Sequence, residues 1–265
     1  MTRQDMFASQ LIMIKLSFLY NQKPLLLGNI VIFSKKKFRQ TLPQKLVCVF
    51  RSERSLKSGI KSETVKPTFH SSMEFRKRLG SGGFAEVFEG FFHGKPVALK
   101  KTKSSTKNPT ATREAFQAEA RVLGLRHPHI IQVFAVELDP TAVVVMERVP
   151  QAQTLQSLIN NESSYPWRTY AKQKVVAVTY LHTNNVLHLD LKPANVLVGE
   201  NHLCKVIDFG CSQTASNPVF STQQGTPAYR APELFRGHLP TSKADVYSLA
   251  ITLLVYEIPA GSLQR

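Results

Sequence analysis

The chain has 265 residues but few cysteines and no long apolar segment. Cys48, Cys204 and Cys211 lie far apart in the sequence and lack the spacing of a zinc site, so neither a disulfide framework nor a cysteine-based metal site is expected. The longest apolar runs, such as Ala142–Met146 and Leu249–Val255, are much shorter than the roughly 20 residues that cross a bilayer. These absences predict a protein of the cytoplasm without a transmembrane segment.

Acidic residues are also scarce, with 18 Asp and Glu against 34 Lys and Arg and a formal net charge of +16. Residues 1–70 hold thirteen of the basic residues and three of the acidic ones, a net charge of +10, so the other 195 residues carry only +6. The basic region has no base-stacking pattern, and specific nucleic-acid binding is therefore not expected. A tail that contacts acidic lipids or partners and a solvated tail without a role both stay open.

The organisation of the chain changes near Met73. Residues 1–70 show no clear periodicity and predict a poorly ordered extension, with a targeting segment as the alternative. Beyond them, short segments rich in Val, Phe and Ala predict strands. These strands are Leu79–Glu89, Lys95–Lys101, Ala142–Val149, Val186–Leu187, Val196–Val198 and Lys205–Ile207.

Helical periodicity appears in three segments after residue 110. Thr112–Leu125 places apolar residues on one face behind Thr112 as a possible N-cap, and Thr169–His182 reads as a second helix. Ala244–Val255 is apolar nearly all round, which predicts a helix buried on every side. The chain therefore has a small strand-rich part with one helix, followed by a helix-rich part.

The first motif with chemical meaning is the glycine-rich run Leu79–Val87. Gly80 and Gly82 in a strand–turn–strand would let the backbone approach phosphate groups closely, because no Cβ intervenes. A plain hairpin has the same signature, and Ala85 stands where a third glycine would complete the phosphate-loop pattern. The motif alone leaves both interpretations open.

Lys100 ends the strand that follows the glycine-rich run. Its ammonium group could meet the phosphates beneath the loop, although an isolated lysine is often simply solvated. Glu119 lies among the apolar positions of the next helix, where a carboxylate is costly unless it finds a cation. Lys100 is the natural partner, so the two residues predict a buried ion pair.

The segment His188–Asn195 and the Asp208-Phe209-Gly210 motif carry the clearest signal. Asp190 can accept or orient a hydroxyl proton, and Lys192 can neutralise charge on a transferring phosphoryl group. Asn195 and Asp208 supply the hard oxygen ligands that Mg²⁺ prefers. With Ala231-Pro232-Glu233 following, this ordered set predicts phosphoryl transfer.

On these motifs the chain resembles the eukaryotic protein kinases over Met73–Arg265. The resemblance implies an α+β, bilobal fold with a small β-rich N-lobe containing one helix and a helix-rich C-lobe. It divides the chain into the extension 1–70 and a kinase domain 71–265. Within that domain it implies an N-lobe at 71–148, a hinge at 147–150 and a partial C-lobe at 151–265.

The same resemblance implies roles for individual residues, with ATP and Mg²⁺ as cofactors and a protein as substrate. Asp190 would be the catalytic base, with Lys192 and Asn195 beside it, and Asn195 and Asp208 would bind the metal. Met146 would be the gatekeeper. The residues implied in nucleotide binding are Leu79, Gly80, Ser81, Gly82, Gly83, Val87, Ala98, Lys100, Glu119, Met146, Glu147, Val149, Leu197 and Asp208.

Finer details resemble the Mos kinases. Leu189 replaces the usual arginine before Asp190, Cys211 and Ser212 follow the Asp208–Gly210 motif, and Ser105–Asn108 precedes the predicted helix. The lysine in Asp190-Leu191-Lys192 is similar to that of serine/threonine kinases, and Gly225–Arg230 agrees. The resemblance implies a kinase that activates a MAP kinase kinase in oocyte meiosis.

One departure from the kinase pattern concerns the C-lobe. Kinases of this family continue beyond the helix that begins at Ala244, and an incomplete C-lobe is therefore expected here. Two functions stay open: an active serine/threonine kinase, because every catalytic position is filled, and a non-catalytic binding or regulatory fragment. A measurement of whether this chain transfers phosphate would separate the two functions.

Overall fold

The structure, a computed structural model, describes residues 26–27, 30–31, 72–139, 141–161, 165–221 and 224–257. The chain divides into two compact units, Met1–Thr64 and Val65–Arg265. In the first unit, β1 (Leu26–Leu27) pairs antiparallel with β2 (Ile30–Val31). The predicted character of the rest of the extension lies outside the described residues.

The second unit begins with a five-stranded antiparallel sheet in the order β3-β4-β5-β7-β6. Buried Val97, Leu99, Val143 and Val145 form an apolar cluster on this sheet, because alternate residues of a strand point to the same face. The strands are β3 (Met73–Ser81), β4 (Ala85–Phe92), β5 (Lys95–Thr102), β6 (Val133–Glu137) and β7 (Val143–Glu147).

The predicted strand Leu79–Glu89 is wrong as a single element. Its beginning lies in β3 and its end in β4, and a turn joins the two at residues 82–84. Gly82 N–H donates to the Ala85 carbonyl at 2.8 Å, which closes this turn. The glycines that suggested phosphate contact therefore also reverse the chain direction.

Gly90 marks the tightest packing within this sheet. A Cβ atom there would overlap the Glu74 carbonyl oxygen and stand 2.7 Å from Leu99 Cδ1. We expect Gly90→Ala to destabilise the folded chain by about 2 kcal/mol, because the neighbouring backbone has to move. Thermal unfolding measures the effect, with Gly83→Ala as control because nothing lies within 4 Å of that position. Equal melting temperatures for the two variants would contradict the expectation.

The helix of the strand-rich part, α1 (Pro109–Glu119), begins three residues before the predicted start. Asn108, not Thr112, is the N-cap, since its Oδ1 accepts a hydrogen bond from Ala111 N at 3.0 Å. Proline in the first turn suits a helix start because its missing N–H is not needed there. The Thr112 hydroxyl instead donates to the Asn108 carbonyl at 2.8 Å.

The end of this helix also differs from the prediction. Regular α-helix stops at Glu119, and a 3₁₀ turn, Ala120–Val122, follows in place of two further helical turns to Leu125. Gly124 then has a φ of +79°, a left-handed conformation that glycine adopts without steric cost. Phe116, which is fully buried, anchors the helix on the core.

The remainder of the second unit is mainly helical, which confirms the predicted α+β class with its small β-rich part. Two small antiparallel sheets, β11-β10-β8 and β12-β9, accompany the helices. The helices are α2 (Leu155–Asn160), α3 (Trp167–Thr183), α4 (Pro232–Phe235) and α5 (Ser242–Glu257). The strands are β8 (Gln153–Thr154), β9 (Val186–Leu187), β10 (Val196–Val198), β11 (Cys204–Val206) and β12 (Gln213–Thr214).

Helix α5 is less enclosed than its composition predicts. Ala244, Leu249 and Ala250 are buried, but Val246 is 39% exposed, so burial on every side is wrong for this helix. Among the described residues, no helix combines the length and the apolar character that a membrane crossing requires. Among the described residues, Cys204 and Cys211 are both free thiols.

Candidate active site

The glycine-rich turn lies beside the strand that carries Lys100. In the sheet, Gly80 pairs with Val87, and Val87 pairs with Lys100. Lys103, just beyond that strand, donates from Nζ to the Gly82 carbonyl at 2.6 Å and from its backbone N–H to Phe84 at 3.0 Å. The turn is therefore fastened to the end of β5.

Lys100, Glu119 and Asp208 form a compact buried cluster. Lys100 Nζ donates to Glu119 Oε1 at 2.6 Å and to Asp208 Oδ1 at 2.8 Å. Glu119 Oε2 also accepts the Phe209 backbone N–H at 3.1 Å. Because the Glu119 residue is only 1% exposed, its carboxylate needs these donors to offset the loss of water. The predicted Lys100–Glu119 pair is confirmed, with Asp208 as a third member.

The pKa values in this cluster reflect burial opposed by charge. Burial lowers the pKa of Lys100, but the carboxylates of Glu119 and Asp208 outweigh it and raise the pKa above its ordinary value. Burial likewise disfavours the charged form of Asp208, yet Lys100 holds its pKa down at about 2. For Glu119, burial is the larger effect and raises the pKa, with Lys100 acting against it. Lys100 and Asp208 consequently face each other as a charged pair.

Both oxygens of the Asp190 carboxylate accept hydrogen bonds from neighbouring residues. Its Oδ2 accepts from Asn195 Nδ2 and from Lys192 Nζ, each at 2.9 Å. Its Oδ1 accepts from Thr226, whose backbone N–H lies at 2.8 Å and whose hydroxyl lies at 2.7 Å. Lys192 Nζ donates to the same Thr226 hydroxyl at 2.6 Å. The structure therefore brings together all three residues predicted as catalytic.

Sequence reasoning did not connect Thr226, a member of the Gly225–Arg230 motif, with Asp190. It lies 36 residues beyond Asp190, and only the folded chain brings the two side chains together. Gly225, the residue before Thr226, has a φ of +76°. A Cβ atom at Gly225 would overlap the Leu189 carbonyl oxygen. A side chain at this position would therefore displace Thr226 from Asp190.

Asp245, in the first turn of α5, supports the loop that carries Asp190. Its carboxylate accepts the backbone N–H groups of His188 at 2.8 Å and Leu189 at 2.7 Å, and it contacts His182 Nε2 at 2.8 Å. Leu189 has a φ of +62°, a left-handed conformation that costs a residue with a Cβ atom roughly 1–2 kcal/mol. Bonds from two adjacent amides to one buried carboxylate offset that strain.

A backbone link joins the Asp190 loop to Asp208. Ile207 N–H donates to the Asn195 carbonyl at 3.0 Å, and the Ile207 carbonyl lies 3.1 Å from His188 Nε2. Asn195 uses its side-chain nitrogen on Asp190, which leaves the amide oxygen for another partner. The two predicted metal ligands therefore belong to neighbouring, hydrogen-bonded segments.

The donor set suits a hard divalent cation that is shared with phosphate. An amide oxygen from Asn195 and a carboxylate from Asp208 match the preference of Mg²⁺ for oxygen ligands. Within the described ranges there is no group of three or more His, Cys, Asp or Glu residues that could hold a metal alone. An ion here would complete its coordination with oxygens from substrate phosphates and water, as Mg²⁺ commonly does.

Some of the predicted nucleotide-binding residues pack on the core of the second unit, whereas others are exposed. Ala98 pairs with Met146 in the sheet, and Met146 and Val149 pack on the central core. A Cβ at Gly199 would stand 2.8 Å from Val149 Cγ1, so glycine permits that close approach. Leu79 at the loop is 51% exposed, while Val87 and Leu197 are half-buried.

The carboxylate of Glu147 is occupied by contacts within the protein. The group accepts from Lys205 Nζ at 2.9 Å and from Gln132 N–H at 2.7 Å. Any contact of Glu147 with a nucleotide would therefore use its backbone carbonyl. A cavity of about 510 Å³ lies elsewhere, lined by Phe88, Lys101, Pro109 and neighbouring residues, and includes none of the predicted site residues.

Comparison with known proteins agrees with this geometry. A family model described as "Protein kinase domain" matches residues 73–262. The chain is 41% identical over 200 residues to the serine/threonine-protein kinase mos of Patiria pectinifera, which covers 69% of this chain and 56% of the relative. It is 42% identical over 196 residues to the Xenopus laevis protein of that name, covering 66% and 54%.

The serine/threonine-protein kinase mos of Gallus gallus is 37% identical over 206 residues, which cover 66% of this chain and 58% of the relative. The chain spans a little over half the length of the curated relatives it matches. The family model covers most of the chain, and the relatives reported above are Mos serine/threonine kinases. The chain therefore belongs to the protein kinase domain family.

Proposed function

We propose that this chain binds ATP with Mg²⁺ and transfers the γ-phosphoryl group to a serine or threonine hydroxyl of a protein. One observation supports the proposal most: the fold forms two clusters of charged and polar side chains. Lys100, Glu119 and Asp208 form one cluster, and Asp190 with its donors forms the other. Phosphoryl transfer relies mainly on such positioning and charge stabilisation.

Each residue has a definite task in this reaction. Asp190 accepts or orients the proton of the attacking hydroxyl, and Lys192 neutralises charge on the phosphoryl group as it moves. Lys100, held by Glu119, contacts the nucleotide phosphates. When bound, Mg²⁺ supplies positive charge at the phosphate oxygens, and Asn195 and Asp208 would hold it. The glycine-rich turn covers the phosphates with backbone N–H groups.

The substrate class follows from the likeness to the Mos kinases. We propose a MAP kinase kinase as the substrate, oocyte meiotic maturation as the setting and the cytoplasm as the compartment. We also propose the kinase domain at 71–265, with the N-lobe at 71–148, the hinge at 147–150 and the partial C-lobe at 151–265. The basic extension 1–70 would then lie outside the catalytic domain.

The proposal is tested with the purified 265-residue chain, Mg-ATP and a kinase-inactive MAP kinase kinase. Thermal stabilisation by Mg-ATP together with phosphate on serine or threonine of the substrate would support it. ATP binding without transfer would favour the alternative of a regulatory fragment. A chain that neither binds ATP nor transfers phosphate would overturn the proposal. A generic basic protein as a second substrate separates catalytic competence from substrate choice.

Leu189 makes a further prediction about control of this activity. It packs in an apolar cluster with Leu187, Ala231 and Ala244, where a phosphate on the segment Cys211–Tyr229 would find no guanidinium from this position. We expect phosphatase treatment to change the transfer rate less than about twofold, and Thr222→Ala likewise. Loss of more than about tenfold on dephosphorylation would contradict the prediction.

A further inference from the structure

Gln213 uses both ends of its side-chain amide within the segment that leads to Thr226. Its Nε2 donates to the Val219 carbonyl at 2.8 Å, and its Oε1 accepts the Val219 N–H at 2.6 Å. The side chain thus pairs with Val219 as a neighbouring peptide group would. The same Nε2 donates to Gln224 Oε1 at 2.8 Å. One glutamine therefore joins three points along this segment.

The backbone of Gln213 is fixed to the strand that precedes the Asp190 loop. Gln213 pairs with Leu187 in the β12-β9 sheet, and Thr214 pairs with Val186. Immediately beyond, Ala215 N–H donates to the Asn185 carbonyl at 2.9 Å. The side chain of Gln213 therefore extends from a point that cannot move without breaking a sheet.

The other end of this hydrogen-bonded chain reaches the catalytic carboxylate. Gln224, which also donates from Nε2 to the Cys211 carbonyl, is two residues before Thr226. Thr226 donates to Asp190 through both its backbone N–H and its hydroxyl. A displacement of Gln224 would consequently be passed on to Thr226, at the place where an attacking hydroxyl must arrive.

We propose that Gln213 is a positioning residue that holds the described parts of the segment 213–226 in the arrangement that accepts a protein substrate. The hydrogen bonds of Gln213 are uncharged. The residue before Asp190 in this chain is Leu189, whose side chain cannot bind a phosphate group on this segment. The proposal rests on the proposed kinase function for its effect on transfer. The hold on Val219 and Gln224 is a separate property of the fold.

Three single variants of the full chain test the proposal. Gln213→Ala removes every side-chain bond, whereas Gln213→Glu keeps the acceptor for the Val219 N–H but loses both donors. Gln156→Ala is the matched control, because Gln156 also donates a side-chain hydrogen bond, at 2.8 Å to Asn160 on α2, away from this segment. The readouts are amide hydrogen exchange at Val219, the affinity for Mg-ATP, and kcat and KM for the protein substrate.

We expect Gln213→Ala to speed exchange of the Val219 amide by about tenfold, because that amide loses its acceptor. Gln213→Glu should leave this exchange near the wild-type rate. Both variants should raise KM for the protein substrate by about tenfold, with kcat and Mg-ATP affinity within about twofold of wild type. The control should change none of these quantities.

Several results would overturn the proposal. Val219 exchange that is unchanged in Gln213→Ala would show that the side chain does not hold the segment. An unchanged KM would remove its effect on substrate binding, and an equal loss of Mg-ATP affinity would indicate general damage to the fold. If the wild-type chain transfers no phosphate, the proposed function fails, and the exchange measurement still decides whether Gln213 holds Val219.

Discussion

Replacing Asp190 by asparagine is expected to slow phosphoryl transfer by about a thousandfold while Mg-ATP affinity stays within about threefold of wild type. Asparagine has nearly the same shape but cannot take a proton from the attacking hydroxyl. It also offers one oxygen in place of two, so it cannot accept from Thr226 and from Lys192 and Asn195 together. The chemical step should therefore fail although the nucleotide still binds.

The measurement is a single-turnover transfer rate at saturating Mg-ATP, accompanied by a separate binding titration. Asp139→Asn is the matched control, because Asp139 is an exposed carboxylate that pairs only at the surface with Arg113. The control should keep the wild-type rate. An Asp190→Asn chain that retains more than about a tenth of the rate would contradict the role of Asp190.

Replacing Lys100 by methionine is expected to have the second-largest effect, and to act on both folding and activity. The change leaves the buried carboxylate of Glu119 without its cation and removes the charge that holds the pKa of Asp208 at about 2. Removing one partner of a buried ion pair typically costs about 3–5 kcal/mol of stability. Transfer should fall by at least about a hundredfold, because the phosphates also lose their lysine.

Glu119→Gln separates the two effects of the lysine substitution. Glutamine preserves the shape but removes the negative charge, and its single amide oxygen can accept from Lys100 or from the Phe209 N–H but not from both. Asp208 is then the only carboxylate that still pairs with Lys100 in this cluster. We expect a smaller loss of stability, about 1–2 kcal/mol, and a loss of transfer of about tenfold. Lys107→Met, at an exposed lysine, is the control for the loss of a positive charge. A Lys100→Met chain as stable and as active as this control would contradict the account of the cluster.

A local rule was sufficient to predict one contact of this site from the sequence. A carboxylate among apolar helix positions needs a cation, and this argument correctly joined Glu119 to Lys100 across 19 residues. The segments that became β5, β7 and α3 follow from the sequence pattern apart from their ends, whereas β6 and α2 were not predicted. The predicted start of α1 was wrong because the prediction used Thr112 as the N-cap, whereas the side chain of Asn108, four residues earlier, accepts the Ala111 N–H.

The residues that were missed act through long-range contacts. Thr226 contacts Asp190, and these two residues are far apart in the sequence. Asp245 is likewise far from His188 and Leu189, whose backbone N–H groups it accepts. Both sets of contacts exist only in the folded chain. Asp245 did carry a signal, since it is a lone acidic residue at the start of an apolar helix, and the argument applied to Glu119 would have identified it. Gln213 carries no such signal, because an uncharged polar residue that keeps some contact with solvent needs no charged partner.

We propose that the described residues form a site for phosphoryl transfer to serine or threonine. The most direct test is a single-turnover reaction of the full chain with γ-labelled ATP, Mg²⁺ and the inactive MAP kinase kinase, followed by identification of the labelled amino acid. The account predicts labelled phosphoserine or phosphothreonine from the wild-type chain and about a thousandfold less from Asp190→Asn. Equal labelling by both chains, or label on tyrosine alone, would contradict it.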